Sequence, residues 1–337
     1  MFPISLRKIL YWLAAGLGLA WLYAVSHILY THDLSLESID IMPKAGSAGY
    51  VSKPFVYVVS YADGAEVFLR NQNALARSVI NRNVDFTLSY RKHHLDADFV
   101  KRNAKILDYS RGAGYWVWKP WIILRTLETV PENSIVIYLD SGFVATASLT
   151  PLIDLALQHD IVLIKHDDLG TNCGMITQRE TLQKMECDTE SCHQSPHIWA
   201  GISVYRNTPA ARAFVKKWLD WCQDPVCVLE HETLHHGTPQ EKSTLTPCPG
   251  FVHHHHDESI LSVLYAKEPQ GKHLLPLADL GKMRVVFWHH RHPKGELYSV
   301  LPFIHRFKVN KWERWCYWFY TWPINKLKVI AHNCTKN

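Results

Sequence analysis

Four short stretches hold residue types able to do chemistry. In SIVIYLDSG, Ser134–Gly142, an apolar, β-branched run ends in Asp140, with Gly142 two residues on. A carboxylate at the carboxyl end of a buried strand suits a divalent cation or a sugar hydroxyl, and the glycine leaves room for a ligand's close approach. The plainer reading is an aspartate that opens a turn. In SRGAGYWVWKPWII, Ser110–Ile123, Arg111 is a cation able to reach a phosphate from a flexible Gly-Ala-Gly segment. Tyr115, Trp116, Trp118 and Trp121 offer faces that stack on sugars or bases, although Trp118 and Trp121, three apart, share a helix face that would be buried. In VHHHHDESILSVL, Val252–Leu264, Asp257 reads as the N-cap of a helix whose buried face is Ile260, Leu261 and Leu264. A helix N-terminus favours anions, and a histidine or carboxylate beside it can act as a base. FWHHRHP, Phe287–Pro293, adds His289 and His290 at a strand end, where one could be a metal ligand.

These residues need elements to carry them. Apolar runs predict strands at Phe55–Tyr61, Val84–Tyr90, Ser134–Leu139, Ile161–His166, Ile202–Asn207 and Arg284–His290. Helices are expected at Ala65–Asn81, Asp96–Tyr109, from Pro120 to Leu127, and over Pro151–Gln158, Pro209–Trp221 and Asp257–Ala266. Repeated β-α-β order predicts an α/β fold with a largely parallel sheet flanked by helices, whose ligands bind at the carboxyl ends of the strands. The Gly112-x-Gly114 pair is no dinucleotide fingerprint: it does not join a strand directly to a helix, and a third glycine is missing.

The chain has 337 residues, 47% apolar and 20% charged, a globular balance with room for a large core. Its net charge of +5 is uneven: residues 305–337 hold seven Lys/Arg and one acid, and the rest is close to neutral. The isoelectric point therefore says little about nucleic acid, which is not an expected partner, and more about a tail near an anionic surface. Arg7 and Lys8 precede an apolar run from Ile9 to Tyr30, long enough to cross a bilayer with its amino end in the cytoplasm. A cleaved signal peptide is the competing reading. The expected organisation is an anchor over residues 1–30, a stem over 31–53, a catalytic domain over 54–304 and a basic, aromatic tail over 305–337. The tail could lie on a membrane surface or pack its tryptophans on the body. Six of the eight cysteines fall between Cys173 and Cys248, consistent with disulfides in an oxidising compartment, with zinc as the rival for Cys187/Cys192 and Cys222/Cys227. Asn333-Cys334-Thr335 is a glycosylation sequon if that compartment is a eukaryotic lumen.

Together, GYWVWKP, IVIYLDSG, IWAGISVYRN and HHDESILS resemble the GT-A type glycosyltransferases, and more closely a family of membrane-anchored nucleotide-sugar transferases. The resemblance spans about residues 54–292. It implies a Rossmann-like GT-A fold and a nucleotide-sugar donor held by Asp63, Arg111, Tyr115, Trp116, Lys119, Asp140, Gly142 and His256. It also implies a divalent cation, Mn2+ or Mg2+, on Asp140 with His289 or His290, and Asp257 or Glu258 as catalytic base. Two departures stand out: Gly142 takes the place of the second Asp of Asp-x-Asp, and Glu258 that of the usual Gln in H-x-H-D-Q-S. The expected protein is a single-pass type II transferase facing the Golgi or another secretory lumen, with a glycan or glycoconjugate acceptor. The alternatives are a non-catalytic glycan-binding relative and a metal-dependent hydrolase built on histidine clusters such as HETLHH, His231–His236.

Overall fold

The computed structural model describes residues 11–22, 53–145, 147–166, 170–282 and 287–289. The chain divides into a unit of residues 34–291 and a second unit of residues 1–33 with 292–337. In the second unit residues 11–22 are helical, and Tyr11, Trp12, Leu13, Leu17, Leu19, Trp21 and Leu22 are exposed. Among the described residues no helix is long and apolar enough to cross a membrane. Much of the anchor expected over Ile9–Tyr30, the stem, His290 and the tail lie outside the described residues.

The larger unit is built on a six-stranded sheet of order β2-β1-β3-β6-β5-β7. Its strands are β1 (Val56–Tyr61), β2 (Phe86–Tyr90), β3 (Ile135–Leu139), β5 (Ile161–Lys165), β6 (Ile198–Arg206) and β7 (Lys272–Pro276). β6 alone among them runs antiparallel to its neighbours, so the sheet is mixed; its other pairings are parallel, as the β-α-β order predicts. β1 and β3 are buried at every position, which is why both read as unbroken apolar runs. β4 (Phe143–Ala145) and β8 (Phe287–His289) form a separate antiparallel pair. The strand expected at Arg284–His290 is therefore not part of the main sheet.

Helices cover both faces. α1 (Glu66–Ser78) and α3 (Thr150–Gln158) pack on one side, with Leu75, Leu152 and Ala156 against Val58, Ile137 and Val204. α2 (Trp118–Thr129), α4 (Pro209–Cys222) and α5 (Asp257–Lys267) pack on the other, with Trp121, Trp218 and Leu261 against Tyr57, Val136 and Tyr205. Strand alternation divides the core in this way: Tyr57 and Val59 face one layer, Val56 and Val58 the other. α4 starts where Thr208 accepts the Ala211 N–H and Pro209 fills the first turn. The single helix expected over Asp96–Tyr109 is two short ones, Ala97–Arg102 and Ala104–Leu107, divided at Asn103, whose backbone leaves the helical region. Cys187 and Cys192 form a disulfide, so that pair is not a zinc knuckle, while Cys173, Cys222, Cys227 and Cys248 are buried thiols.

Candidate functional site

The carboxyl ends of β1, β2, β3 and β5 lie along one sheet edge, and the reversed β6 brings its amino end, Ile198–Gly201, to the same edge. Asp140 follows β3 directly, and its N–H donates to the Gly201 carbonyl at 3.0 Å. Two residues back on the same face, the Tyr138 hydroxyl donates to Asp140 Oδ1 at 2.7 Å. Lys119, in the first turn of α2, is buried between carboxylates: Nζ lies 2.7 Å from Asp257 Oδ2 and 3.6 Å from Asp140 Oδ1. Burial alone would lower the Lys119 pKa, but Asp140 and Asp257 outweigh it and hold the ammonium above its usual range. Asp257 is also fully enclosed; burial pushes its pKa up to about 6 against the pull of Lys119.

The segment before α5 is extended, with rings alternating in burial: His254 and His256 inside, His253 and His255 outward. Asp257 is not the N-cap. It is the first helical residue, its carbonyl held by Trp218 Nε1 at 2.9 Å, and His256 stands at the cap position with φ 57°, ψ −116°. His256 Nδ1 donates to the Val228 carbonyl at 2.8 Å, and its ring stacks on Trp116 and meets Tyr115 edge-on. Glu258 accepts the Ala200 N–H at 3.0 Å and lies 2.6 Å from His197 Nε2 and 3.0 Å from His255 Nδ1. Burial would raise the Glu258 carboxyl; the hydrogen bonds from His197 and His255 outweigh it and hold it well below the usual range. Ala200 is available because the β5–β6 register jumps from Leu163↔Ser203 to Ile164↔Trp199, so residues 200–202 have no β5 partner.

The Arg111–Trp116 segment is not an open, flexible arm. Gly112, Ala113, Gly114, Tyr115 and Trp116 all take positive φ, a left-handed turn that only glycine adopts without strain. The Trp116 ring lies over Gly112, and Gly114 sits against the Leu107 backbone, so neither site has room for a Cβ. Tyr115 is buried, Trp116 half-buried, and Trp118 stacks on Tyr61 with ring centres 3.9 Å apart. Arg111 reaches Glu230 at 2.7 Å. Burial would raise Glu230, but His256, with Nε2 at 3.4 Å, outweighs it and brings the carboxyl down to about 2.

The structure thus brings Lys119, Asp140, Asp257 and Glu258 into one largely buried charge cluster at this sheet edge, with Arg111, Tyr115, Trp116 and His256 packed beside it. Asp63 follows β1 on the same edge, two residues past Tyr61, and Gly142 lies in the turn between Asp140 and β4 without a left-handed φ. His289 pairs through its backbone with Phe143, while His290 is outside the described residues. The HETLHH segment forms a short helix, His231–Leu234, where the His231 ring packs on His235 with centres 4.4 Å apart and its nitrogens meet Glu180 and the Gln240 carbonyl. A cavity of about 330 Å³, lined by Lys53, Pro131, Asn133 and Arg206 among others, lies at the opposite sheet edge, away from these groups.

A divalent cation on Asp140 is not matched by the described residues there. Asp140 Oδ1 is already engaged by Tyr138 and faces Lys119, and among the described residues no trio of ligating side chains includes Asp140. Two other trios could hold an ion: His197, His255 and Glu258, and Asp188, His193 and Cys248.

Sequence reasoning missed His197, Tyr138, Glu230 and Trp218. Tyr138 alone carried a signal, its i, i+2 relation to Asp140 on a strand. The others are single polar or aromatic residues whose partners lie far along the chain.

Fold and site define an α/β protein with a cluster of carboxylates around a buried lysine at the strand ends. No protein-family model matches the chain, and no curated protein matches it. Solved structures similar in part include mouse xyloside xylosyltransferase 1 (10% identity, TM-score 0.41, covering 70% of this chain and 98% of that one). A glycosyltransferase involved in glycosylation of the major capsid of PBCV-1 is similar at 12% identity, TM-score 0.41, covering 72% and 97%. The galactosyltransferase LgtC, in complex with donor and acceptor sugar analogues, is similar at 15% identity, TM-score 0.33, covering 70% and 80%.

Proposed function

We propose that this chain is a type II membrane glycosyltransferase that moves a sugar from a nucleotide-sugar donor to a glycan or glycoconjugate acceptor, with its body in the Golgi or another non-cytoplasmic compartment. The observation that carries the catalytic reading is Asp140 at the β3 end, joined to Asp257 through buried Lys119. Of the two carboxylates on Lys119, Asp140 is the one within reach of solvent, with 17% of its side chain exposed against 4% for Asp257. Lys119 fixes its position and offsets its charge. Asp257, pushed up to about 6, has the proton affinity of a general base working near neutral pH, but it is enclosed against Lys119, so an acceptor must open that pair to reach it; Glu258, held low, is a weak base. The leaving nucleoside diphosphate gains negative charge, which cationic side chains at the same edge would offset. Support for the membrane topology comes from Arg7 and Lys8 before the apolar run and from the exposed apolar side chains of residues 11–22.

The test incubates the full-length chain, in detergent micelles, with a panel of nucleotide sugars and measures nucleoside diphosphate release. Turnover with at least one donor is expected, with a loss of about 100-fold or more in Asp140→Ala. No turnover with any donor sinks the catalytic reading. One observation favours a non-catalytic glycan-binding protein instead: the Asp140 carboxylate is already neutralised by Lys119, and glycine stands at position 142. Glycan-array binding without donor cleavage would select that alternative.

A further inference from the structure

We propose that His197, His255 and Glu258 form a site for one divalent transition-metal ion of the zinc class, between the amino ends of β6 and α5. Their ligating atoms all lie within 4.8 Å of one another, and Glu258 Oε1 sits 2.6 Å from His197 Nε2 and 3.0 Å from His255 Nδ1. Two imidazoles and one carboxylate, with a further position open, are a donor set that zinc takes. At metal–ligand distances of about 2.0–2.2 Å, tetrahedral ligand atoms stand roughly 3.3 Å apart, so the two glutamate–histidine contacts need open by about 0.3 to 0.7 Å.

The residues behind these ligands are arranged as a metal centre needs. His197 Nδ1 is 2.8 Å from Thr171 Oγ1, and that hydroxyl can donate or accept, so it serves the tautomer that leaves Nε2 free for a metal. Glu258 Oε2 is fixed by the Ala200 N–H, which leaves Oε1 for the ion. The backbone N–H of His255 donates to Ser259 Oγ at 2.8 Å, which fixes the main chain that carries this ligand. Among the described residues, the ion pairs of Glu258 are with the two histidines alone. The rival trio differs: Asp188 already faces the Arg179 guanidinium at 2.9 Å, a charge that repels a cation. His255 and Glu258 keep 26% and 15% of their side chains exposed, so an ion there would be reached from solvent and could take a water or a substrate oxygen. The assignment goes beyond the transferase reading and moves the cation away from Asp140.

The experiment strips the full-length chain in detergent with a chelator, then titrates it with Zn2+ or Co2+ alone, without any sugar nucleotide. One equivalent is expected, with cobalt d–d absorption and no thiolate charge-transfer band. His255→Ala, at a partly exposed position, and Glu258→Gln should each weaken binding about 100-fold or more, and Thr171→Ala about 10-fold. Cys248→Ser should bind like the parent, and thermal melts confirm which variants are folded. Failure to bind one equivalent, parent-like affinity in folded His255→Ala, or loss of binding in Cys248→Ser overturns the site. Metal binding without sugar transfer would leave this site standing and count against the transferase reading; transfer by a chain that binds no ion would do the reverse.

Discussion

At the scale of residues, Lys119 ties the charge cluster together. Removing its charge in Lys119→Met leaves Asp140 and Asp257 facing each other with no cation between them. The expected cost is about 3–5 kcal/mol, read as a fall in chemical-denaturation stability. The pH dependence of Asp257 has two opposed readouts. Its folded pKa of about 6 lies above its ordinary 3.8, so the folded state binds the extra proton, and this group's contribution to stability falls as pH rises from about 4 to about 6. Activity that needs the ionised form should instead rise across that limb, reaching its plateau above pH 6, and a rate profile from pH 5 to 8 would show it. Glu230 has the reverse sign: brought down to about 2, it contributes stability above its ordinary 4.5 that is lost as pH falls towards 2, and Glu230→Gln should flatten that acid limb. Asp140 and Asp257 could be singled out in the sequence because each stands at the end of a periodic run, whereas Lys119, inside an aromatic run, and Glu258 were named through the resemblance alone. His197 was not, because one histidine before a strand gives no sign of the glutamate 61 residues away that it meets.

At the scale of elements, the left-handed turn over Gly112–Trp116 sets both the Trp116 platform and the start of α2. Gly114→Ala would force a Cβ at φ 96° to within 2.8 Å of the Leu107 backbone, at an expected cost of about 2–3 kcal/mol, measurable as a lowered denaturation midpoint. Aromatic composition signalled a binding or core segment there, but the handedness of five successive residues is a tertiary outcome that no periodicity encodes. β7 was missed for a related reason: it is a short edge strand ending in Pro276, tolerated because one side has no partner. β6 was read as starting at Ile202 and begins at Ile198, since the irregular pairing around Gly201 disguises its first half.

At the scale of the whole molecule, the alternation of strands and helices was enough to give a mixed α/β sheet, because buried parallel strands announce themselves as apolar runs. Which strand runs backwards was not readable, since direction depends on the length and path of connections. The topology proposal makes its own prediction: the full-length chain should stay with membranes after alkaline carbonate extraction, and a chain with residues 9–30 replaced by a cleavable signal should be released. The irregular β5–β6 pairing has one more consequence. The amide of Ala200 is protected by a side chain, Glu258, and not by a neighbouring strand. Its hydrogen–deuterium exchange therefore responds to that carboxylate as well as to local opening, and in Glu258→Ala it should quicken while the amides of Ser203–Tyr205, held by β3 and β5, keep their rates. A single backbone proton thus gives a readout of the Glu258 carboxylate that needs no substrate.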